Sequence, residues 1–435
     1  MIPGDAPQWI VLIWLFTFGA VIGSFLNVCI YRLPQHEHLW AQLAGLTHPP
    51  SSCPFCKQLI LGRDNIPVFG WLILRGRCRS CRHWIPPRYA LIEFFNGLLW
   101  VVLYMAIVPA GFSAKASDSC LWSALSPLAN PLLPNSQVVY LLHAQYFYYL
   151  VLVEALLVAT FIDFDLQIIP DGATIPALIV GVVGAFAIGD LHLWPVWFQS
   201  SSTLQTLQHV TPTGMHWLLS GPDRPAWLSA HPRLHGLVSS LAGMVIGGGV
   251  IWVLRIVGHW AWRREVMGFG DVILMAMIGS FLGWQPTLLV FFVAPFCGLV
   301  ATVVSLRLFR TKEIAYGPYL SLAALLVLFG WKLYFSHFEH WFSLGPLIAV
   351  QAVIMFVLLV ASLLLVRGVK RLLGFKDHDE DDDNGDDEWR SGDQLAFYAN
   401  KDHEAGSGEL KPPKWPGSAA GQGRQFVDRW RHGDR

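Results

Sequence analysis

The sequence predicts an all-α polytopic membrane protein, of about eight to nine transmembrane helices, with a small cytoplasmic zinc-ribbon insertion. Three observations predict it. Charged residues are only 14% of the chain and apolar ones 54%, whereas soluble domains carry about a quarter charged residues. The apolar residues gather in runs of the ~20 residues that cross a hydrocarbon core. Two CxxC pairs share one polar segment near the N-terminus.

The first apolar run, 8–30, lacks a basic stretch before it and is longer than the core of a signal peptide, so residues 1–30 read as a retained first helix. Residues 31–88 are polar and hold the cysteine pairs. Residues 89–335 form the membrane core, with spans at 89–109, 138–162, 173–189, 236–257, 272–286, 288–306 and 318–335. Its two long outer loops, 110–137 and 190–235, are rich in Ser, Pro, Trp and Leu. They carry no recognisable chemistry and read as insertions with local structure. One more span, 345–366, lies within 336–375. In the tail, 376–435, nine of the twelve residues Asp377–Glu388 are acidic and Gly, Pro and Ser follow. Such a stretch cannot bury enough apolar surface to fold, and reads as a disordered, solvated tail. Gly385 is out of register for an EF-hand loop.

The net charge of zero averages a basic body with this acidic tail, so it gives no reason to expect a nucleic-acid partner. Sidedness comes from the basic residues. Arg32, Lys57, Arg63, Arg75, Arg77, Arg79, Arg82 and Arg88 follow the first span, and every second loop after it is also basic. The positive-inside rule then puts the N-terminus outside and the C-terminal tail on the cytoplasmic side of a multi-pass membrane protein.

Cys53-Pro54-Phe55-Cys56 and Cys78-Arg79-Ser80-Cys81 are separated by 21 residues. Each CxxC turn can aim two thiolates at one ion, and two turns complete a closed tetrahedral site, the pattern of structural zinc. A pair of redox dithiols is the alternative. Cys29, Cys120 and Cys297 are scattered and suggest no disulfide framework.

Asp163 and Asp165 stand where the third span meets its cytoplasmic end, just before Pro170 and Asp171. A carboxylate at the edge of the hydrocarbon is costly and invites a functional reading; ordinary helix-end acids, or Asp171 as a helix cap, are the plainer one. Gly268-Phe269-Gly270-Asp271 directly precedes an apolar helix, where Asp271 is either functional or an N-cap. Two carboxylates at one site share a proton, because like charges so close do not both ionise cheaply. One then takes a proton from water while the other polarises a carbonyl, which is aspartic-protease chemistry.

Read in order, the motifs add up. Gly23-Ser24-Phe25-Leu26-Asn27 opens a stretch ending at Leu33-Pro34. The CxxC pairs follow, with Asp64-Asn65-Ile66-Pro67 and Leu74-Arg75-Gly76-Arg77. Then come Arg88-Tyr89-Ala90-Leu91-Ile92-Glu93, Asp163 seven residues before Pro170, Glu265 through Asp271, and Tyr316-Gly317-Pro318-Tyr319. With these, most of residues 15–335 resembles the bacterial type IV prepilin peptidases, GxGD aspartic proteases. The resemblance implies leader removal from type IV prepilins or type II secretion pseudopilins at the cytoplasmic membrane face. It implies N-methylation of the new N-terminus by S-adenosylmethionine, for which no binding residues are identified. It makes Asp163 and Asp271 the proteolytic pair, ahead of Asp165, and Cys53, Cys56, Cys78 and Cys81 the zinc ligands. Glu93 and Glu265 would contact the leader or the cofactor, with helix-end solvation as the rival reading. The expected partners are the prepilin or pseudopilin and membrane lipid; nothing bears on oligomeric state. The chain departs from the family at Ile273, where Lys is usual, and at Ala90 and Ala315, where Pro is common. Two other classes stay open: a non-catalytic assembly factor binding pilins through the ribbon, and a proton or ion transporter. The transporter would call for more ionisable residues within the spans than Glu154 and Arg255.

Overall fold

The computed structural model describes residues 8–361 apart from 109–117, 122–133, 263–266, 309–314, most of 199–229 and scattered single positions. The acidic run and the rest of the expected tail lie outside the described residues, as do Glu265 and most of the expected span 345–366. The helices are α1 (Gln8–Arg32), α2 (Leu39–Gly45), α3 (Phe69–Ile73), α4 (Arg88–Ile107), α5 (Asn135–Leu166) and α6 (Asp171–Ile188). They continue with α7 (Pro232–Trp262), α8 (Phe269–Leu282), α9 (Trp284–Leu308), α10 (Gly317–Phe329) and α11 (Trp331–Phe342). Among the described residues no strand forms, only two isolated β-bridges.

Six of these helices are long and apolar enough to cross a membrane: α1, α4, α5, α6, α7 and α9. The expected eighth span is not straight. It breaks at Gly330, where α10 and α11 meet at 89°; counted as one span, the pair makes seven. The apolar α8 has 14 residues and ends at Gly283, whose φ of 85° turns the chain into α9.

Helix α5 is the hub. Of its apolar stretch 61% is buried, against 22–39% in the other five. Lipid tails are as apolar as Leu, so helices in a bilayer are held by close backbone approach and interhelical hydrogen bonds rather than by apolar burial. Both are present. A Cβ at Gly243 of α7 would collide with the carbonyl of Gly279 in α8, and one at Gly279 with that of Gly243, so this crossing needs glycine on both sides. The Tyr148 hydroxyl of α5 reaches the Gly181 carbonyl of α6 at 2.8 Å and the Ser280 carbonyl of α8 at 3.1 Å. Asn96 of α4 donates to the Gly19 carbonyl of α1 (2.9 Å) and to Glu154 of α5 (3.0 Å). Trp100 donates to the same Glu154 oxygen.

Within the loop 190–235, residues 191–198 are mostly buried, whereas the other described residues up to 234 are exposed or half-buried. Trp194 is 1% exposed and packs its ring on Phe198, Trp331, Phe335 and Phe342. The bend at Gly330 thus lets α11 fold back across the end of the bundle and cover Trp194.

Candidate active site and metal centre

Helix α5 ends at Gln167, which takes a left-handed conformation (φ 55°), and its N–H donates to the Asp163 carbonyl at 2.9 Å. The extended Ile168-Ile169-Pro170 then turns the chain into α6. Ile169 is where three segments meet. A Cβ at Gly270 would lie 3.0 Å from Ile169 Cβ, and one at Gly317 would lie 3.1 Å from Ile169 Cδ1. The GxGD turn and the Tyr316-Gly317-Pro318 turn therefore close on the same residue, six positions after Asp163.

Asp163 is 6% exposed and Asp271 9%. The Gly317 N–H donates to Asp163 Oδ2 at 3.0 Å. Asp163 and Asp271 lie within electrostatic range of each other, as do Tyr316 and Asp271, and Tyr319 and Asp163. The two sequence-predicted aspartates, 108 positions apart in the chain, thus come together at the ends of α5 and α8. Asp271 is not an N-cap: Gly268 is, and Asp271 sits in the first turn of α8. Nor does Asp171 cap α6, whose cap is Pro170.

Asp165 has another task. Both its oxygens take hydrogen bonds from the Arg88 guanidinium of α4, at 2.8 and 2.6 Å. That guanidinium also lies 5.2 Å over the Phe161 ring. Glu93 is likewise engaged, accepting the Val68 N–H at 2.7 Å. The sequence reading missed both links, and it missed that the Gly317 N–H reaches Asp163. A glycine directly before a proline at the start of an apolar helix was the signal available for the last.

The four cysteines assemble from two like turns. The Cys53 N–H donates to the Gln58 carbonyl (2.9 Å) and the Cys78 N–H to the His83 carbonyl (2.8 Å). The residue after each second cysteine, Lys57 or Arg82, has positive φ (56° and 61°). All four sulfurs lie within 4.8 Å of one another and can hold a metal ion. Cys53 Sγ to Cys81 Sγ is 3.8 Å and Cys56 Sγ to Cys78 Sγ 4.0 Å. A tetrahedral ion with ~2.3 Å bonds to sulfur separates its ligands by about 3.8 Å, so the donors fit. The Cys81 N–H, and after it that of Ser80, lowers the Cys78 thiol to about 7 against the opposing effect of burial.

Residues 17–107 match the bacterial peptidase A24 N-terminal domain, and residues 227–303 match the type IV leader peptidase family. A prepilin leader peptidase/N-methyltransferase of Pectobacterium carotovorum subsp. carotovorum is 30% identical over 72% of this chain and 90% of its own length. The chain belongs to the type IV leader peptidase family. An Aeromonas hydrophila protein named as the Pectobacterium one is 26% identical over 74% of this chain and 91% of its own. An Escherichia coli protein, named a type 4 prepilin-like proteins leader peptide-processing enzyme, is 27% identical over 72% and 91%. No solved structure matches. In this leader peptidase the cysteine pairs fall in the first matched stretch and Asp271 in the second, while Asp163 lies between them. Ile273 is half-buried on α8, one residue beyond the first helical turn.

Proposed function

We propose that this type IV leader peptidase cuts the leader from type IV prepilins or type II secretion pseudopilins, with Asp163 and Asp271 as the catalytic pair. The observation that carries the reading is their convergence around Ile169 and Gly317 in a chain of this family. One carboxylate takes a proton from a water molecule, whose oxygen attacks the scissile carbonyl carbon. The other, protonated, gives its proton to the carbonyl oxygen. Collapse of the tetrahedral intermediate breaks the C–N bond: the leaving amine takes a proton from the carboxylate that deprotonated water, and a hydroxyl of the intermediate returns one to the other carboxylate, restoring the shared-proton pair. The Gly317 N–H fixes the Asp163 carboxylate for this exchange.

The substrate is an apolar helix already resting in the bilayer, which slides between helices until its leader junction meets the aspartates. The basic loops support the same sidedness, with the N-terminus outside the inner membrane and the acidic tail in the cytoplasm. Cys53, Cys56, Cys78 and Cys81 hold a structural zinc, closed by four thiolates and so without a position for substrate. S-adenosylmethionine supplies a methyl group to the new N-terminal amine in the second activity.

Mass spectrometry of a prepilin co-expressed with this protein tests both activities. A shortened pilin carrying one added methyl group is the expected product. A full-length pilin would refute the peptidase reading, and a shortened but unmethylated one the methyltransferase reading.

A further inference from the structure

Helix α3 stands against the membrane end of α4. The chain reaches it through a tight turn at Val68 (φ 62°, ψ −53°), closed by the Phe69 N–H on the Pro67 carbonyl at 2.6 Å. Positive φ is costly for a β-branched residue and persists only where neighbours hold it. Here the Val68 N–H is held by Glu93 at 2.7 Å. Glu93 lies five residues past Arg88, about 7.5 Å along the spanning helix at 1.5 Å per residue. The start of α3 is thereby tied to the second turn of α4, a helix long and apolar enough to span a membrane.

From this anchor α3 points apolar side chains away from the protein. Phe69 is 61% exposed, Leu72 53% and Ile73 67%. Trp71 faces inward instead, donating to the Ile85 carbonyl at 2.9 Å. Directly after α3 lies a cavity of about 690 Å³ lined by Ile73, Leu74, Arg75, Arg77, Arg79 and Arg82. Arg79 is paired with Asp64 at 2.7 Å. Among the described residues no carboxylate forms an ion pair with Arg75, Arg77 or Arg82.

We propose that α3 dips into the bilayer boundary and that Arg75, Arg77 and Arg82 hold the phosphate of an anionic phospholipid headgroup beside it. Guanidinium forks match phosphate oxygens in pairs, and anionic lipids gather at basic membrane-proximal segments. Two features select a lipid over other anions. Ile73 and Leu74 line the cavity next to the arginines, giving the glycerol and upper acyl chain an apolar contact that free phosphate does not use. The acidic run Asp377–Glu388 of this chain matches the charge, but it holds no apolar residue to cover Phe69, Leu72 and Ile73. The site is independent of the peptidase reading, since it concerns lipid retention and not cleavage.

The test is native mass spectrometry of the purified full-length protein with added phosphatidylglycerol or phosphatidylcholine. Wild type should retain phosphatidylglycerol in preference, unaffected by 10 mM-scale inorganic phosphate, about the level needed to occupy a weak phosphate site. R75Q/R77Q/R82Q should weaken that retention by about 100-fold, the effect of three surface cations. R75K/R77K/R82K should keep the preference for the anionic lipid. Bound zinc reports that each variant is folded; where the triple variant loses it, R75Q, R77Q and R82Q singly should each weaken retention about fivefold. Unchanged retention in the folded arginine variants would overturn the proposal. So would displacement by inorganic phosphate, or a rise in retention when the nine acids of Asp377–Glu388 are neutralised in the full-length chain, which would make that run the occupant.

Discussion

The Gly317 N–H donates to Asp163 Oδ2 over 3.0 Å, joining residues 154 positions apart in sequence. A methyl group at position 317 would stand 2.6 Å from that oxygen, well inside van der Waals contact. Gly317→Ala should therefore push the carboxylate aside while adding a better helix former at the start of α10. The expected result is a fall of about 100-fold in kcat for prepilin cleavage, the usual cost of a ~1 Å misplacement, with thermal stability kept. Wild-type turnover would mean that Gly317 does not orient Asp163.

The Arg88–Asp165 pair predicts a different pattern. Its side chains are 12% and 8% exposed, and removing one partner of a buried pair leaves an uncompensated charge that costs about 3–5 kcal/mol. Asp165→Asn should lower the melting temperature in detergent yet still cut prepilin below that temperature. Loss of cutting in a folded Asp165→Asn protein would move the catalytic role from Asp163 to Asp165.

Glu154 accepts from both Asn96 and Trp100. Glu154→Leu strands the Trp100 N–H in the bundle and should destabilise by about 1–3 kcal/mol. Glu154→Gln keeps an acceptor oxygen and should be nearly neutral, in stability and in cleavage. A proton relay through Glu154 would instead make the Gln variant inactive.

Metal analysis should find one zinc per chain, and Cys56→Ser or Cys78→Ser should abolish it. Because the four-thiolate site has no open position, purified enzyme should cut without added metal. Stimulation of the fully loaded enzyme by further zinc would point to a second, catalytic metal.

Much of this was legible in the sequence, because the signals are local. Apolar runs mark α1, α4, α5, α6, α7 and α9, and CxxC spacing marks the thiol cluster. The GxGD turn marks Asp271 as a candidate, and only the resemblance to prepilin peptidases singles out Asp163 from Asp165. What stayed hidden depends on packing between distant segments. Hydropathy gives 318–335 as one span, whereas the bend at Gly330 lays Trp331 and Phe335 over Trp194, a contact between distant segments. Asp163 and Asp165 look alike in sequence. They differ because Arg88, from another helix, occupies one, while a backbone N–H from α10 meets the other.

The most direct measurement is cleavage of a purified prepilin by Asp163→Asn and by Asp271→Asn protein in detergent, each shown to be folded. Both should lose at least about 10²–10⁴-fold in rate, the share general acid–base groups contribute, and the double variant should be little worse than either, as residues acting as one unit behave. Wild-type cutting by either single variant would contradict a shared two-carboxylate site.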